Sequence, residues 1–192
     1  MKQAIIIIDL IEDIIGEQGH FSTNTEQAIK RQVVAKTNKV TELARKHHIP
    51  VVWVKVGFAD DYHDIPKHSP MFNHVKQIGI LKLSHSGCDW VKELVQQADD
   101  RHFVKKGVGA FAGNQLNNWL KSQGIEQITV GGVSSIMTIE NTSRLAHDLG
   151  YKVVVLEELC AAASLEQHQQ SMQALEPMAK ITSIAEWMAE LS

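Results

Sequence analysis

Residues 130–144 read VGGVSSIMTIENTSR. An apolar run at 128–130 ends in Gly131-Gly132, a short polar turn follows at Ser134-Ser135, and a helical pattern opens near Ile136 and runs to Leu149-Gly150. Strand, tight turn, helix is how an open α/β sheet presents reactive groups at the carboxyl edge of its strands. The same alternation continues in both directions. A β-branched run at 4–9 predicts a strand covered on both faces. Ile29, Val33, Val40 and Leu43 have helical spacing and predict a helix over 25–48, capped by Thr23 with Glu26 and closed before Pro50. Strands are expected at 51–56, 102–104, 152–156 and 179–181, and helices at 89–98, 114–123, 136–149, 165–175 and 184–191. Residues 57–88 are polar and irregular, with Pro66, Pro70, Gly79 and Gly87, and loops of that length usually serve a binding surface. Strands alternating with helices predict a six-stranded parallel sheet in a three-layer α/β sandwich, Rossmann-like in plan.

The chain has 192 residues, 44% of them hydrophobic, enough for one domain across 1–192 with a full core. Net charge is −3 and the basic residues are scattered, which excludes the clustered Lys/Arg footprint of a nucleic-acid binder. The longest apolar run, 4–8, is far short of the ~20 residues that span a bilayer, so no membrane partner is expected. Met1-Lys2-Gln3 leads straight into that run, so no signal peptide is expected. Cys88 and Cys160 form no disulfide framework and no metal-ligand spacing. A reducing cytoplasm is the expected setting.

Ligands of such sheets bind beyond the carboxyl ends of the strands. The residues there are Asp9, then 57–62, then Lys105-Lys106, then 132–138, then 157–160. Asp9 follows four isoleucines in IIIIDLIEDI, and a carboxylate is costly to bury there unless paired. A helix cap or a turn residue is the other reading of Asp9, as a solvated surface lysine is of Lys105. A lysine charge near Asp9 would hold the carboxylate ionised or stabilise negative charge developing on a substrate oxygen. Both residues end strands that such a sheet is expected to place side by side.

Gly132, Val133, Ser134, Ser135, Glu140, Thr142 and Arg144 match a pattern, G-V-(A/S/T)-(S/T)-x-x-C-V-(E/D)-x-T-x-R, by which the chain resembles the cysteine-hydrolase (isochorismatase-like) superfamily. The resemblance extends from Asp9 to the last helix and includes A-A-S-x-E-x-H at 162–168. It implies the isochorismatase-like hydrolase fold, with Asp9 as catalytic acid/base and, through the register set by Ala110-Phe111, Lys105 as catalytic lysine. It also implies a cis peptide between Val133 and Ser134, whose backbone N–H groups form an oxyanion hole. The family's nucleophilic cysteine is replaced by Thr138, and the Gln of its I-D-x-Q opening by Ile11. An aliphatic hydroxyl is a far weaker acid than a thiol, so it needs a stronger base than a lone Asp. Cys160 falls in a segment where the family's cysteine packs rather than reacts.

Residues 56–62 match non-nicotinamidase members that read V-G-F-x-x-D-Y; Phe58, Tyr62 and Phe72 are expected to roof the pocket or a subunit contact, and Ile11, Phe58, Tyr62 and Phe111 are the expected substrate-pocket residues. Asp61, His63, His68 and His74 begin like a nicotinamidase metal set, but their spacing departs from it, so neither metal nor cofactor is expected. The expectation is a hydrolase of a small-molecule substrate working without a cysteine nucleophile, on a vinyl ether or C–N bond, as a homodimer or higher homo-oligomer. The alternative is a catalytically silent binding or regulatory homologue.

Overall fold

The computed structural model describes residues 1–17 and 19–191. Six parallel strands form one open sheet: β1 (Gln3–Ile8), β2 (Val51–Val56), β3 (Arg101–Lys105), β4 (Gln127–Val133), β5 (Lys152–Ala161) and β6 (Lys180–Thr182), in the order β3-β2-β1-β4-β5-β6. β1 is central, and its isoleucines explain why. Ile5 and Ile7 enter one core and Ile6 and Ile8 the other, all fully buried. Each such side chain contributes about 1.5–3 kcal/mol of burial.

Helices cover both faces. α1 (Glu12–Ile15), α2 (Ser22–Lys30), α3 (Val33–Lys46), α4 (Pro70–Ile78) and α8 (Ile184–Ala189) pack on the Ile5/Ile7 side, and α5 (Leu116–Ser122), α6 (Glu140–Asp148) and α7 (Leu165–Leu175) on the other. The strand order reverses at β1, so a crevice opens between the carboxyl ends of β1 and β4. Among the described residues no helix is long and apolar enough to cross a membrane.

Several elements depart from the sequence reading. The helix over 25–48 is two helices, α2 and α3, broken at Arg31-Gln32 where Gln32 takes φ 55°. Thr23 lies inside α2 rather than capping it. The segment 57–88 contains α4, whose start is set by Ser69 accepting from the Phe72 N–H at 3.3 Å with Pro70 following, and whose end is set by Gly79 at φ 77°. Residues 89–98 form no helix; Val91 instead donates its N–H to the Leu10 carbonyl. The helix over 136–149 opens as a π-helical turn, Ser135–Ile139, before α6. β4 and β5 outrun their expected lengths, with a register shift between Val130 and Gly132. Gly132 has φ 136°, and a Cβ there would lie 2.1 Å from the Ile8 carbonyl oxygen, so only glycine lets β4 pass β1 this closely.

Candidate active site

Asp9 is the first residue beyond β1 and sits at φ 62°, a conformation Asp tolerates better than most side chains. Its N–H donates to the Val54 carbonyl, and its Oδ1 accepts from the Val56 N–H at 2.8 Å, so β2 holds both the backbone and the carboxylate of Asp9. Lys105 closes β3. Its ammonium lies 2.7 Å from Asp9 Oδ2 and also donates to the Val108 carbonyl. β1 and β3 are not neighbours, contrary to the sequence expectation: β2 lies between them. Lys105 is in register with Val56, the residue that holds Asp9, and its long side chain spans the end of β2. Thr138 completes the group, its hydroxyl donating to Asp9 Oδ2 at 3.2 Å.

Asp9, Lys105 and Thr138 are 2%, 1% and 5% exposed, so neither charge is solvated and each depends on the other. Burial pushes the Asp9 carboxyl above the usual carboxylate range, while Lys105, the Val56 N–H and Thr138 draw it back.

The Gly-rich end of β4 places Thr138. The Val133–Ser134 peptide bond is cis. The Ser134 carbonyl accepts from both Thr138 N–H at 2.9 Å and Ile139 N–H at 3.1 Å, which closes the π-helical turn. Asp9, Lys105, Val133, Ser134 and Thr138 line one cavity of about 180 Å³.

The expected walls are not its walls. Ile11 opens α1, is fully buried and bridges to Trp90. Phe58 is buried between the rings of Tyr62 and Phe72, at 6.4 and 5.3 Å, and the Tyr62 hydroxyl is committed to the Ile80 carbonyl at 2.7 Å. Phe111 stacks on Tyr151 and packs against the core on the other face of the sheet. These aromatics are consumed by core packing. Phe72 does line the cavity, with Phe21, Met71, Val75, Leu81 and Met137, which the sequence reading largely missed.

His63 bonds Asp61 at 2.6 Å on the surface, and His68 and His74 are exposed; among the described residues no three His, Cys, Asp or Glu side chains gather in a geometry for a metal ion. Cys88 and Cys160 are fully buried. Burial pushes their thiols up to about 11 and about 12, and they donate to the carbonyls of Val56 and Leu156.

A second buried network lies behind the turn. Ser135 Oγ is 2.8 Å from His168 Nδ1, His168 Nε2 is 3.1 Å from Glu157, and Arg31 donates to Glu157 and to the Glu157 and Cys160 carbonyls. It is the physical content of the 162–168 motif: His168 anchors the first residue of the π-helical turn. A larger open cleft of about 410 Å³, edged by Asp13, His20 and His85, contains none of Asp9, Lys105 and Thr138.

Residues 3–186 match the family model described as "Isochorismatase domain". The uncharacterized isochorismatase family protein YecD of Escherichia coli O157:H7 is 30% identical over 184 residues, covering 95% of this chain and 93% of that protein. A probable inactive nicotinamidase of Arabidopsis thaliana is 26% identical over 192 residues, covering 98% and 96%. Among solved structures, a cysteine hydrolase from Pseudomonas syringae pv. phaseolicola 1448A superposes with a TM-score of 0.88 at 20% identity, covering 99% of this chain and 92% of that one. A six-stranded parallel sheet, a family model spanning nearly its whole length and a 30% identical relative of equal extent lead to one conclusion: the chain belongs to the isochorismatase family.

Proposed function

We propose that the protein hydrolyses a small molecule with Asp9 as general acid/base and no cysteine nucleophile. The observation that carries this reading is a buried Asp9 carboxyl, shifted upward, paired to Lys105 and facing a cavity. Such a group gives up and takes back a proton closer to neutrality than a solvated carboxylate. On a vinyl ether, Asp9 protonates the alkenyl carbon, water adds to the oxygen-bearing carbon, and the hemiketal collapses to carbonyl and alcohol. The water's proton returns to Asp9. On a C–N bond, Asp9 draws a proton from the attacking water and delivers it to the departing nitrogen. Lys105 and the backbone N–H groups of Val133 and Ser134, which also line the cavity, supply donors for the developing oxyanion.

Thr138 takes the position of the family's cysteine and acts as a donor to Asp9, not as nucleophile. Its hydroxyl lacks the acidity for attack, and both thiols of the chain are buried away from the cavity walls. We further propose a homodimer or higher homo-oligomer. Exposed Ile136, Met137, Leu145 and Leu165 lie on the π-helical turn, α6 and α7, which pack together. A silent binding or regulatory protein is the second reading, favoured by the relative named as a probable inactive nicotinamidase.

The test is turnover on a panel of vinyl ethers, amides and imides. Asp9→Asn should lower turnover by several orders of magnitude. Thr138→Ala should cost tenfold or less, about 1.4 kcal/mol of barrier. If Thr138→Ala is as dead as Asp9→Asn while both remain folded, Thr138 is the nucleophile and this mechanism is wrong. If the parent turns over nothing, the silent reading holds.

A further inference from the structure

The walls of the Asp9 cavity say what kind of molecule belongs in it. Apart from Asp9 and Lys105, the polar side chains on its lining are Asn24, Ser134 and Thr138, all neutral; no Arg or His reaches it among the described residues. Phe21, Met71, Phe72, Val75, Leu81 and Met137 make the rest of the enclosure apolar.

The two charges are already spent on one another. Asp9 Oδ1 accepts from Val56 and Oδ2 from both Lys105 and Thr138. Of the three N–H bonds of Lys105, one goes to Asp9 and one to the Val108 carbonyl, which leaves one donor for a ligand. A ligand carboxylate would therefore find no free counter-charge. It would bring a second anion beside the buried Asp9 carboxyl. A ligand ammonium would compete with Lys105 for a carboxylate whose lone pairs are largely taken. A neutral head carrying an acceptor oxygen takes the free Lys105 N–H without bringing a second charge beside Asp9.

Size follows from volume. A dry apolar cavity of ~150 Å³ accommodates benzene, and this one measures about 180 Å³.

We propose that this site takes an uncharged ligand with one oxygen-bearing polar head and an apolar body the size of a single ring, and that it rejects carboxylates and amines. The proposal deepens the hydrolase reading by naming the substrate class, and rests on it only in taking this cavity as the substrate site.

Isothermal titration at pH 7 with benzyl alcohol, phenyl vinyl ether, benzoate and benzylammonium tests it. Both neutral probes should bind at least tenfold more tightly than either ion. Met71→Arg places an unpaired cation at an exposed wall position, and should close that gap by raising benzoate affinity about tenfold. Val108→Phe, filling the cavity, should abolish benzyl alcohol binding, with Met71→Trp serving if the first variant does not fold. Benzoate binding the parent as well as benzyl alcohol does would overturn the proposal. So would the absence of saturable binding by both neutral probes up to their solubility, or an affinity unmoved by the filled cavity. Turnover does not enter these outcomes. Neutral probes that bind while the parent cleaves nothing sink the hydrolase reading alone. Cleavage of a substrate that carries a carboxylate sinks this proposal alone.

Discussion

Among the described residues Lys105 and Asp9 are each other's only charged partner at the site, 2.7 Å apart and nearly without solvent, so neither charge can be removed singly without stranding the other. Lys105→Met should cost about 3–5 kcal/mol of folding free energy, because it leaves a buried carboxylate uncompensated. Adding Asp9→Leu should recover much of that loss, and a urea double-mutant cycle reads the coupling directly. A double-variant loss equal to the sum of the two single-variant losses would show the pair to be uncoupled. Thr138→Cys probes the same carboxylate from the third side. Close to the Lys105 ammonium, the introduced thiol should alkylate with iodoacetamide far faster than Cys88 or Cys160, whose thiols burial holds near 11 and 12. Mass spectrometry should find one adduct in the variant and none in the folded parent. The Asp9, Lys105 and Thr138 cluster was legible in the sequence because each member lies at or beyond the carboxyl end of a strand and stands in a motif. The walls were not. Ile11, Phe58, Tyr62 and Phe111 are apolar residues near those motifs, and nothing in a linear string distinguishes a ring that faces a ligand from one packed into a core.

At the scale of elements, the Gly131-Gly132 end of β4 does most to position the site. Gly132→Ala puts a methyl 2.1 Å from the Ile8 carbonyl oxygen in a backbone conformation that L side chains rarely adopt. Close contact and strain together should destabilise by about 3 kcal/mol or more. β1 should shift at Asp9, with turnover falling beyond what the loss of stability alone produces. A variant as stable as the parent in urea would show that the close approach of β1 and β4 is dispensable. Strand and helix order was legible from periodicity. The break between α2 and α3 was not, because Ile29, Val33 and Val40 keep helical spacing straight across it while its cause lies elsewhere: Arg31 turns inward to carbonyls 126 and 129 residues away. α4 had local signals, Ser69-Pro70 at one end and Gly79 at the other, hidden in a segment whose polar composition reads as loop. The π-helical turn has a helical apolar pattern and differs only in hydrogen bonding, which composition does not carry.

Over the whole molecule, buried ionisable groups give stability opposing pH dependences. For Asp100, burial raises the carboxyl, but bonds from Arg45, the Gln97 N–H and the Trp53 indole outweigh it and hold the group below the usual range. A depressed carboxyl contributes stability that is complete above its unfolded value of ~3.9 and is lost as pH falls through the folded value. His168 is lowered, chiefly by burial, so its neutral form is favoured on folding and stability begins to fall below ~6.5. Asp9 is raised and has the opposite sign: its contribution is present below ~3.9 and is lost as pH rises through its folded value. Urea unfolding from pH 2.5 to 7 should show stability dropping on the acid side, with Asp100→Asn flattening the drop below ~4. An acid limb of the same slope in that variant would remove Asp100 from the account.

The placement of sulfur has a consequence for life under oxidants. Peroxide acts on thiolates, and this chain keeps both thiols buried and protonated while a hydroxyl contacts the Asp9 carboxylate. The exposed thioether on the cavity wall outside the proposed oligomer surface is instead that of Met71. Sulfoxide there would make the wall more polar without touching Asp9 or Lys105, and sulfoxide reductases reverse that change. Oxidative injury near this cavity is thus expected as a repairable change of its wall, with Asp9 and Lys105 left intact.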